Sequence, residues 1–179
     1  PGRIGLLEAL REMGGRIEVI PRGEQGGEPV GDVVAAHADL RGIEIHGERV
    51  TAMIDEFPVF AVAAAFATGI TRVREADELR HKESDRIRAL CSLLSALGAK
   101  VEEQPDGFTV YGQGGLRGGA SVQAEGDHRI AMAAAVAGLA ADQPVTVQGA
   151  EIMAESYPNF AETLQGLGGK IRMEAENGG

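Results

Sequence analysis

Apolar and polar positions along the chain form two kinds of helical segment. Residues 57–67 and 130–141 are almost entirely apolar and rich in alanine. Residues 87–97 and 160–167 mix apolar and charged positions, as helices with one buried face do. A helix that is apolar all round is buried on every side, and alanine lets helix axes approach closely. The pattern therefore predicts inner helices that pack together and are covered by sheets and amphipathic helices.

Three short segments resemble one another and indicate an internal repeat. Residues 13–17 (Met-Gly-Gly-Arg-Ile), 97–101 (Leu-Gly-Ala-Lys-Val) and 167–171 (Leu-Gly-Gly-Lys-Ile) each end a helical pattern on glycine and begin a strand pattern. Glycine tolerates the left-handed backbone that closes a helix, and the β-branched residue then favours an extended run. Three such junctions predict a supersecondary unit that is used three times.

The repeat divides the chain into a partial copy (residues 1–50), a second unit (51–118) and a third unit (119–179), which together predict a single domain. The chain begins at Pro1 without a methionine and enters a helical pattern almost at once, which predicts a piece of a longer protein. The residue patterns of the last two units predict these elements in chain order: helix 56–67, strand 70–74, helix 83–97, strands 99–103 and 108–111, helix 128–141, strand 145–148, helix 157–167 and strand 170–173. This alternation predicts an α/β fold, α+β in some schemes. Glycine-rich stretches 23–31 and 112–119 are predicted loops, and the tail 174–179 is predicted to fray.

Composition and charge narrow the classes of function. The 179 residues, 44% of them apolar, suffice for a globular core. The net charge of −10 argues against nucleic-acid or membrane-surface binding, because both need a basic patch. Cys91 lies at a helical core position and is expected to be a buried thiol, and the four histidines show no metal-binding spacing. No signal peptide or bilayer-spanning stretch is evident, so a cytoplasmic location is expected.

Charged residues concentrate where two predicted helices begin. Cations and carboxylates are concentrated over residues 80–88, where Glu83 and Arg86 are three positions apart. An exposed pair at that spacing contributes at most about 1 kcal/mol. Cations are unfavourable at a helix N-terminus, which is already positive, unless an anion binds between them. His128 and Arg129 repeat this conflict at the second inner helix, so the sequence predicts a site for a small phosphorylated anion.

Asp55 and Asp127 precede the two inner helices at matching positions. Each carboxylate is a candidate N-cap, an interaction typically worth about 1 kcal/mol. Asp55 is followed by Glu56 and, in the first turn, by Pro58. It could also hold or deprotonate a hydroxyl group, and the residues alone leave both interpretations open.

These motifs resemble the C-terminal part of the 5-enolpyruvylshikimate-3-phosphate synthase family. The resemblance is carried by residues 54–59 (Ile-Asp-Glu-Phe-Pro-Val), 79–86 (Leu-Arg-His-Lys-Glu-Ser-Asp-Arg), 126–132 (Gly-Asp-His-Arg-Ile-Ala-Met) and 156–160 (Ser-Tyr-Pro-Asn-Phe), and it covers almost the whole chain. It implies an enzyme that transfers the enolpyruvyl group of phosphoenolpyruvate to the 5-hydroxyl of shikimate 3-phosphate and releases phosphate, with no metal or organic cofactor. It also implies repeated βαβαββ units around buried helices, and a complementary N-terminal domain without which this chain is inactive.

The resemblance further implies roles for six residues. Asp55 would contact the shikimate hydroxyls and accept a proton, and Lys82 would contact the same substrate. Glu83 would transfer a proton at the methylene carbon of phosphoenolpyruvate. Arg86 and Arg129 would bind phosphoenolpyruvate, and His128 would support them. Such roles agree with the chemistry, because attack at C2 needs a base at the hydroxyl and an acid at C3, while arginines neutralise the donor's charges.

Two positions depart from the family pattern, and two alternative functions remain. Glu78 stands where some members have asparagine, and Glu155 stands where some have lysine, so neither is assigned a ligand contact. One alternative is a related enolpyruvyl transferase that acts on UDP-N-acetylglucosamine, which would share the repeat fold. The other is a non-catalytic anion-binding or interaction module on the same scaffold.

Overall fold

The computed structural model describes residues 4–174 and contains both helices and strands. The α-helices are α1 (Gly5–Glu12), α2 (Glu48–Ala52), α3 (Phe57–Phe66), α4 (Arg86–Ala96), α5 (His128–Ala140) and α6 (Phe160–Gly166). The strands are β1 (Arg16–Gln25), β2 (Glu28–Ala36), β3 (Glu44–Ile45), β4 (Thr68–Val73), β5 (Lys100–Gln104), β6 (Gly107–Gln113), β7 (Ser121–Gln123) and β8 (Thr146–Gln148). Two 3₁₀ helices span Asp77–His81 and Ala150–Glu155. The predicted α/β class is confirmed.

The elements from β3 to β6 follow the order βαβαββ, with the short α2 added before α3. Their four strands form one sheet in the order β3-β4-β6-β5, in which β3 and β4 are parallel and β6 is antiparallel to both of its neighbours. A shorter version follows, with β7 and β8 parallel and α5 between them. Before both lie α1 and the β1–β2 hairpin. The division of the chain at residues 50 and 118 stays a prediction.

Of the two helices predicted to be buried on every side, α3 lies inside as predicted, whereas α5 is exposed at its end, where Leu139 is 38% exposed. Helix α3 carries no charged residue and packs against α5, the β4–β6 part of the sheet and α4. The Phe57 ring meets the rings of Phe60 and Phe108 edge to face, with centroids 6.1 and 6.3 Å apart. Aromatic pairs of this geometry contribute about 0.5–1.5 kcal/mol beyond the area that they bury. The amphipathic α4 covers this core with its buried face, which includes Leu90 and Leu94.

The prediction of a loop over residues 23–31 is wrong, because most of that stretch is paired in the β1–β2 hairpin. Gln25 pairs with Glu28, and only Gly26 and Gly27 form the turn, at φ 62° and 82°. A two-residue hairpin turn of this kind needs positive φ at both central positions, which glycine adopts without strain. The glycines therefore mark a tight turn between two strands.

Three other element predictions need correction. The predicted helix 83–97 begins at Arg86, because Asp85 caps it by accepting a hydrogen bond from the Arg88 N–H at 3.1 Å. The predicted helix 157–167 begins at Phe160, since a residue that precedes proline, here Tyr157, is disfavoured in helical conformation. The predicted strand 170–173 is not formed, and these residues pair with no strand in the described part of the chain.

The remaining predictions that concern the fold have mixed outcomes. Cys91 is buried, as expected, and desolvation raises the pKa of its thiol to about 12, so it stays protonated at neutral pH. The predicted frayed tail lies outside the described residues, apart from Glu174. Within residues 4–174 no helix combines the length and apolarity needed to cross a membrane.

Gly107, where β6 starts, is expected to tolerate no side chain. A Cβ atom there would lie 1.9 Å from the Val73 carbonyl oxygen, which belongs to the paired strand β4. We expect Gly107→Ala to lower the free energy of unfolding by about 1–3 kcal/mol, the usual cost of overpacking. Gly115→Ala is the control, because its Cβ would meet nothing within 4 Å. Equal urea midpoints for the two variants would show that the β4–β6 contact is not this close.

Candidate functional site

The start of helix α4 buries a charged side chain. Arg86, its first residue, has no solvent-exposed surface and is the largest fully buried side chain in the described chain. Its Nε donates to Asp127 Oδ2 at 2.8 Å and one Nη donates to Glu83 Oε2 at 2.5 Å, while the other Nη lies 3.5 Å from Asp55 Oδ1. An isolated buried charge is very costly, so three surrounding carboxylates are what makes this burial possible.

The start of helix α5 meets Arg86 through Asp127. Asp127 is the N-cap of α5 and accepts a hydrogen bond from the Arg129 backbone N–H at 2.9 Å, which confirms it as a cap. Its other carboxylate oxygen accepts from Arg86 and, at 3.1 Å, from the Ser84 hydroxyl. A single carboxylate therefore joins the start of an inner helix to the start of an outer one.

Asp55 lies between the two arginines and is not a helix cap. The N-cap position of α3 belongs to Glu56, whose side chain makes no capping bond, and Pro58 in the first turn has no N–H to satisfy. The Asp55 carboxylate instead approaches Arg86 on one side, and on the other its Oδ2 lies 3.4 Å from an Nη of Arg129. Arg129 also donates to the Asp55 carbonyl oxygen at 3.1 Å.

Two of the predicted site residues lie outside this cluster of charges. Lys82 forms an ion pair with Glu78 at 2.6 Å, at the C-terminal end of the 3₁₀ helix that precedes α4. His128 is the first residue of α5 and is half-buried, and its ring forms no hydrogen bond in the described part of the chain. The structure thus brings together Asp55, Glu83, Arg86 and Arg129 but gives Lys82 a different partner.

Arg80 has a structural explanation that the sequence argument did not foresee. Its guanidinium pairs with Asp85 at 2.8 Å and Glu103 at 2.9 Å, and it donates to the carbonyl oxygens of Gln104 and Pro105. These bonds tie the start of α4 to the β5–β6 turn. Three cations at this helix start, Arg80, Lys82 and Arg86, are therefore paired with carboxylates of the chain itself, and their presence alone does not demand an external anion.

A cavity of about 170 Å³ opens beside the cluster, between α3 and α5. It is lined by Asp55, Glu56 and Arg129 and by five apolar residues, Val59, Met132, Ala133, Val136 and Phe160. The Arg129 side chain remains 30% exposed and that of Glu83 48% exposed, so both can reach a molecule from outside. Among residues 4–174 no group of three or more His, Cys, Asp and Glu is arranged to hold a metal ion.

The sequence did not predict two features of this cluster. One is the hydrogen bond from the Ser84 hydroxyl to Asp127, and the other is the buried contact of Asp127 with Arg86. Asp127 was recognisable only as a cap, because Arg86 lies 41 positions away and no local spacing connects them. Burial alone would raise the pKa of the Asp127 carboxyl. The hydrogen bond and charge of Arg86, with the Arg129 N–H and the Ser84 hydroxyl, more than compensate and hold that pKa below its usual value.

The lowered pKa of Asp127 predicts a loss of stability in acid. A carboxyl whose pKa is lower in the folded state stabilises the fold above its unfolded-state pKa of about 3.9, and this contribution is lost as pH falls through the folded-state pKa. Asp127→Asn cannot ionise, so it should be less stable near neutral pH but lose less further stability below about pH 4. Urea unfolding at several pH values checks this, and parallel pH profiles for both proteins would contradict it.

The solved structures that this chain resembles define its class. An EPSP synthase from Acinetobacter baumannii superposes with a TM-score of 0.87 at 37% identity, over 92% of this chain and 39% of that one. The enolpyruvyl transferase NikO from Streptomyces tendae superposes with a TM-score of 0.73 at 26% identity, over 95% of this chain and 36% of that one. The fold is therefore that of the enolpyruvyl transferases.

Sequence comparisons then identify the family. The family model described as EPSP synthase (3-phosphoshikimate 1-carboxyvinyltransferase) matches residues 2–164. The 3-phosphoshikimate 1-carboxyvinyltransferases of Phenylobacterium zucineum and Parvibaculum lavamentivorans are 49% and 52% identical over 96% and 94% of this chain. The chain belongs to the EPSP synthase family. It spans 38% of the length of each of these two relatives.

Proposed function

We propose that the chain supplies one wall of the active site of an enzyme that transfers the enolpyruvyl group of phosphoenolpyruvate to shikimate 3-phosphate. The observation that carries the proposal is the position of Asp55 between Arg86 and Arg129. Glu83 contacts the guanidinium of Arg86 as well. Two cations and two carboxylates within direct contact suit a substrate that carries both a carboxylate and a phosphate and exchanges protons during its reaction.

The proposed reaction assigns a proton to each carboxylate. The 5-hydroxyl of shikimate 3-phosphate would form a bond to C2 of phosphoenolpyruvate, giving its proton to Asp55, while C3 receives a proton from Glu83. The bond from C2 to the phosphate oxygen would then break, and the departing phosphate would take the proton held by Asp55. C3 would return one proton to Glu83, which forms the enol ether product and restores both carboxylates. Arg129 and Arg86 would hold the donor's negative groups throughout, and the reaction consumes no other reactant.

The remaining predicted ligand contacts are part of this proposal. Lys82 would turn from Glu78 towards shikimate 3-phosphate, which is feasible because their ion pair lies partly in solvent and such pairs contribute about 0–1 kcal/mol. His128, beside Arg129 at the start of α5, would support the bound donor. The complementary N-terminal portion would supply the other wall, and without it the chain is expected to be inactive. A cytoplasmic location stays a prediction.

A substrate trial in a reconstituted complex tests the proposal against both alternatives. The chain would be mixed with an N-terminal portion of the Phenylobacterium zucineum relative, and phosphoenolpyruvate would be offered with shikimate 3-phosphate or with UDP-N-acetylglucosamine. We expect an enolpyruvyl product only from shikimate 3-phosphate, detected by mass spectrometry. A product only from the UDP-sugar would identify the related transferase. A complex that does not bind phosphoenolpyruvate in calorimetry would favour a non-catalytic module.

A further inference from the structure

The Asp127 carboxylate, which touches neither the cavity nor solvent, uses both of its oxygens inside the protein. One oxygen accepts from the Arg129 backbone N–H, and the other accepts from the Ser84 hydroxyl and from Nε of Arg86. Both Asp127 and Arg86 have no exposed surface. The proposed reaction gives Asp127 no part, so its buried charge serves something other than substrate contact.

We propose that Asp127 is a positioning residue that orients the Arg86 guanidinium and so directs the two Nη atoms of Arg86 towards the bound anion. The proposal rests on the function proposed above, because it takes Arg86 to be an anion ligand. A guanidinium is planar, and its N–H groups point in fixed directions within that plane. A bond at Nε therefore constrains where both Nη groups point.

The nitrogen atoms of the Arg86 guanidinium contact different surroundings. Nε faces Asp127 in the interior, whereas the Nη atoms face Asp55 and Glu83. The Glu83 side chain is 48% exposed and that of Asp55 21% exposed, so this is the edge that opens towards solvent. An anion that reaches Arg86 would take the Nη positions, while the Asp127 bond at Nε stays in place. Asp127 is also the N-cap of α5 and accepts from the Arg129 backbone N–H. The same carboxylate therefore fixes the position of the Arg86 guanidinium relative to Arg129.

Asp85 provides a matched comparison within the same chain. It caps α4 as Asp127 caps α5, and it also pairs with an arginine, Arg80, at 2.8 Å. Arg80, however, bonds to the β5–β6 turn and not to the cluster around Arg86. Asp85→Asn thus removes the charge of a helix cap that pairs with an arginine outside the site. Asp127→Asn removes the charge of a helix cap that pairs with an arginine inside the site.

The test uses nuclear magnetic resonance of the arginine side chains in the ¹⁵N-labelled chain. We expect the Arg86 Nε–H proton to exchange with water about tenfold faster or more in Asp127→Asn, and at an unchanged rate in Asp85→Asn. Titration of phosphoenolpyruvate into the reconstituted complex of each variant should give about tenfold weaker binding in Asp127→Asn, the lower end of what losing the outer partner of a ligating group costs at metal sites. Asp85→Asn should bind as the unmodified chain does.

Each outcome decides the proposal. Unchanged Nε–H exchange in Asp127→Asn, or equal losses of affinity in the two asparagine variants, would overturn the positioning role. If Asp127→Asn does not fold, Asp127→Glu replaces it, because this variant keeps the charge but displaces it by one methylene. Weaker phosphoenolpyruvate binding in the glutamate variant supports the role, and unchanged binding refutes it. A reconstituted complex of the unmodified chain that binds no phosphoenolpyruvate counts against the proposed function, while the exchange rates, which need no ligand, still decide whether Asp127 holds Arg86.

Discussion

Replacing Arg86 with alanine is expected to lower the free energy of unfolding by about 3–5 kcal/mol, the usual cost of removing one partner from a buried ion pair. Its guanidinium is the shared partner of Asp127, Asp55 and Glu83, and Asp127 has no exposed surface. Without it the Asp127 carboxylate keeps only the Ser84 hydroxyl and a backbone N–H. Domains of this kind are stable by about 5–15 kcal/mol, so the loss is a large fraction of the total.

Urea unfolding followed by circular dichroism measures this change, with Arg88→Ala as the control. Arg88 lies two positions further along the same helix and is exposed, so its replacement should change stability by about 0.5 kcal/mol or less. Similar urea midpoints for the two variants would mean that Arg86 is not enclosed by its carboxylates as described. The measurement needs no substrate and no second polypeptide, so it tests the geometry of the cluster separately from the proposed reaction.

Glu83→Gln is expected to separate binding from turnover. In the structure Glu83 Oε2 lies 2.5 Å from one Nη of Arg86 and accepts its hydrogen bond. A bound anion would need that hydrogen bond for itself. Glutamine is neutral and competes less well for a cation, so phosphoenolpyruvate should bind at least as tightly as before. Glutamine cannot deliver a proton to C3, however, and the loss of a general acid typically lowers the rate by about 10²–10⁴-fold.

Calorimetric titration and turnover in the reconstituted complex check both parts of this result. Glu78→Gln is the matched control, because Glu78 also pairs with a cation, Lys82, but is given no proton to transfer. Its turnover should stay much closer to that of the unmodified protein. If Glu83→Gln turned over at a near-normal rate, Glu83 would not be the acid. If it lost phosphoenolpyruvate affinity, the carboxylate would not compete with the ligand.

Sequence patterns within a single segment predicted the buried helix α3 and the N-cap of α5. Residues 57–67 are apolar at every position, so a buried helix could be predicted from this segment without knowing which elements pack against it. Asp127 stands directly before a helix and caps it. The same signal failed at Asp55, where Pro58 in the first turn reduces the need for a cap. The hairpin at Gly26 was missed because a two-residue turn and a loop share the same composition.

The charge cluster was only partly predictable, because most of its contacts are distant in sequence. The Glu83–Arg86 spacing of three positions suggested their pairing, although both residues were expected inside a helix that in fact begins at Arg86. Arg86 meets Asp55 and Asp127 across 31 and 41 positions, and only the folded chain brings those helix starts together. The excess of cations suggested an external anion, whereas the structure satisfies Arg80 and Lys82 internally.

Phosphate release in the reconstituted complex tests the central claim, that this chain forms one wall of an enolpyruvyl transfer site. The chain and the N-terminal portion of the Phenylobacterium zucineum relative would be mixed with phosphoenolpyruvate and shikimate 3-phosphate. We expect steady phosphate release that requires both polypeptides and both substrates and disappears with Arg129→Ala, while circular dichroism stays unchanged. No release from a complex shown to be folded and associated, or undiminished release with Arg129→Ala, would contradict the account.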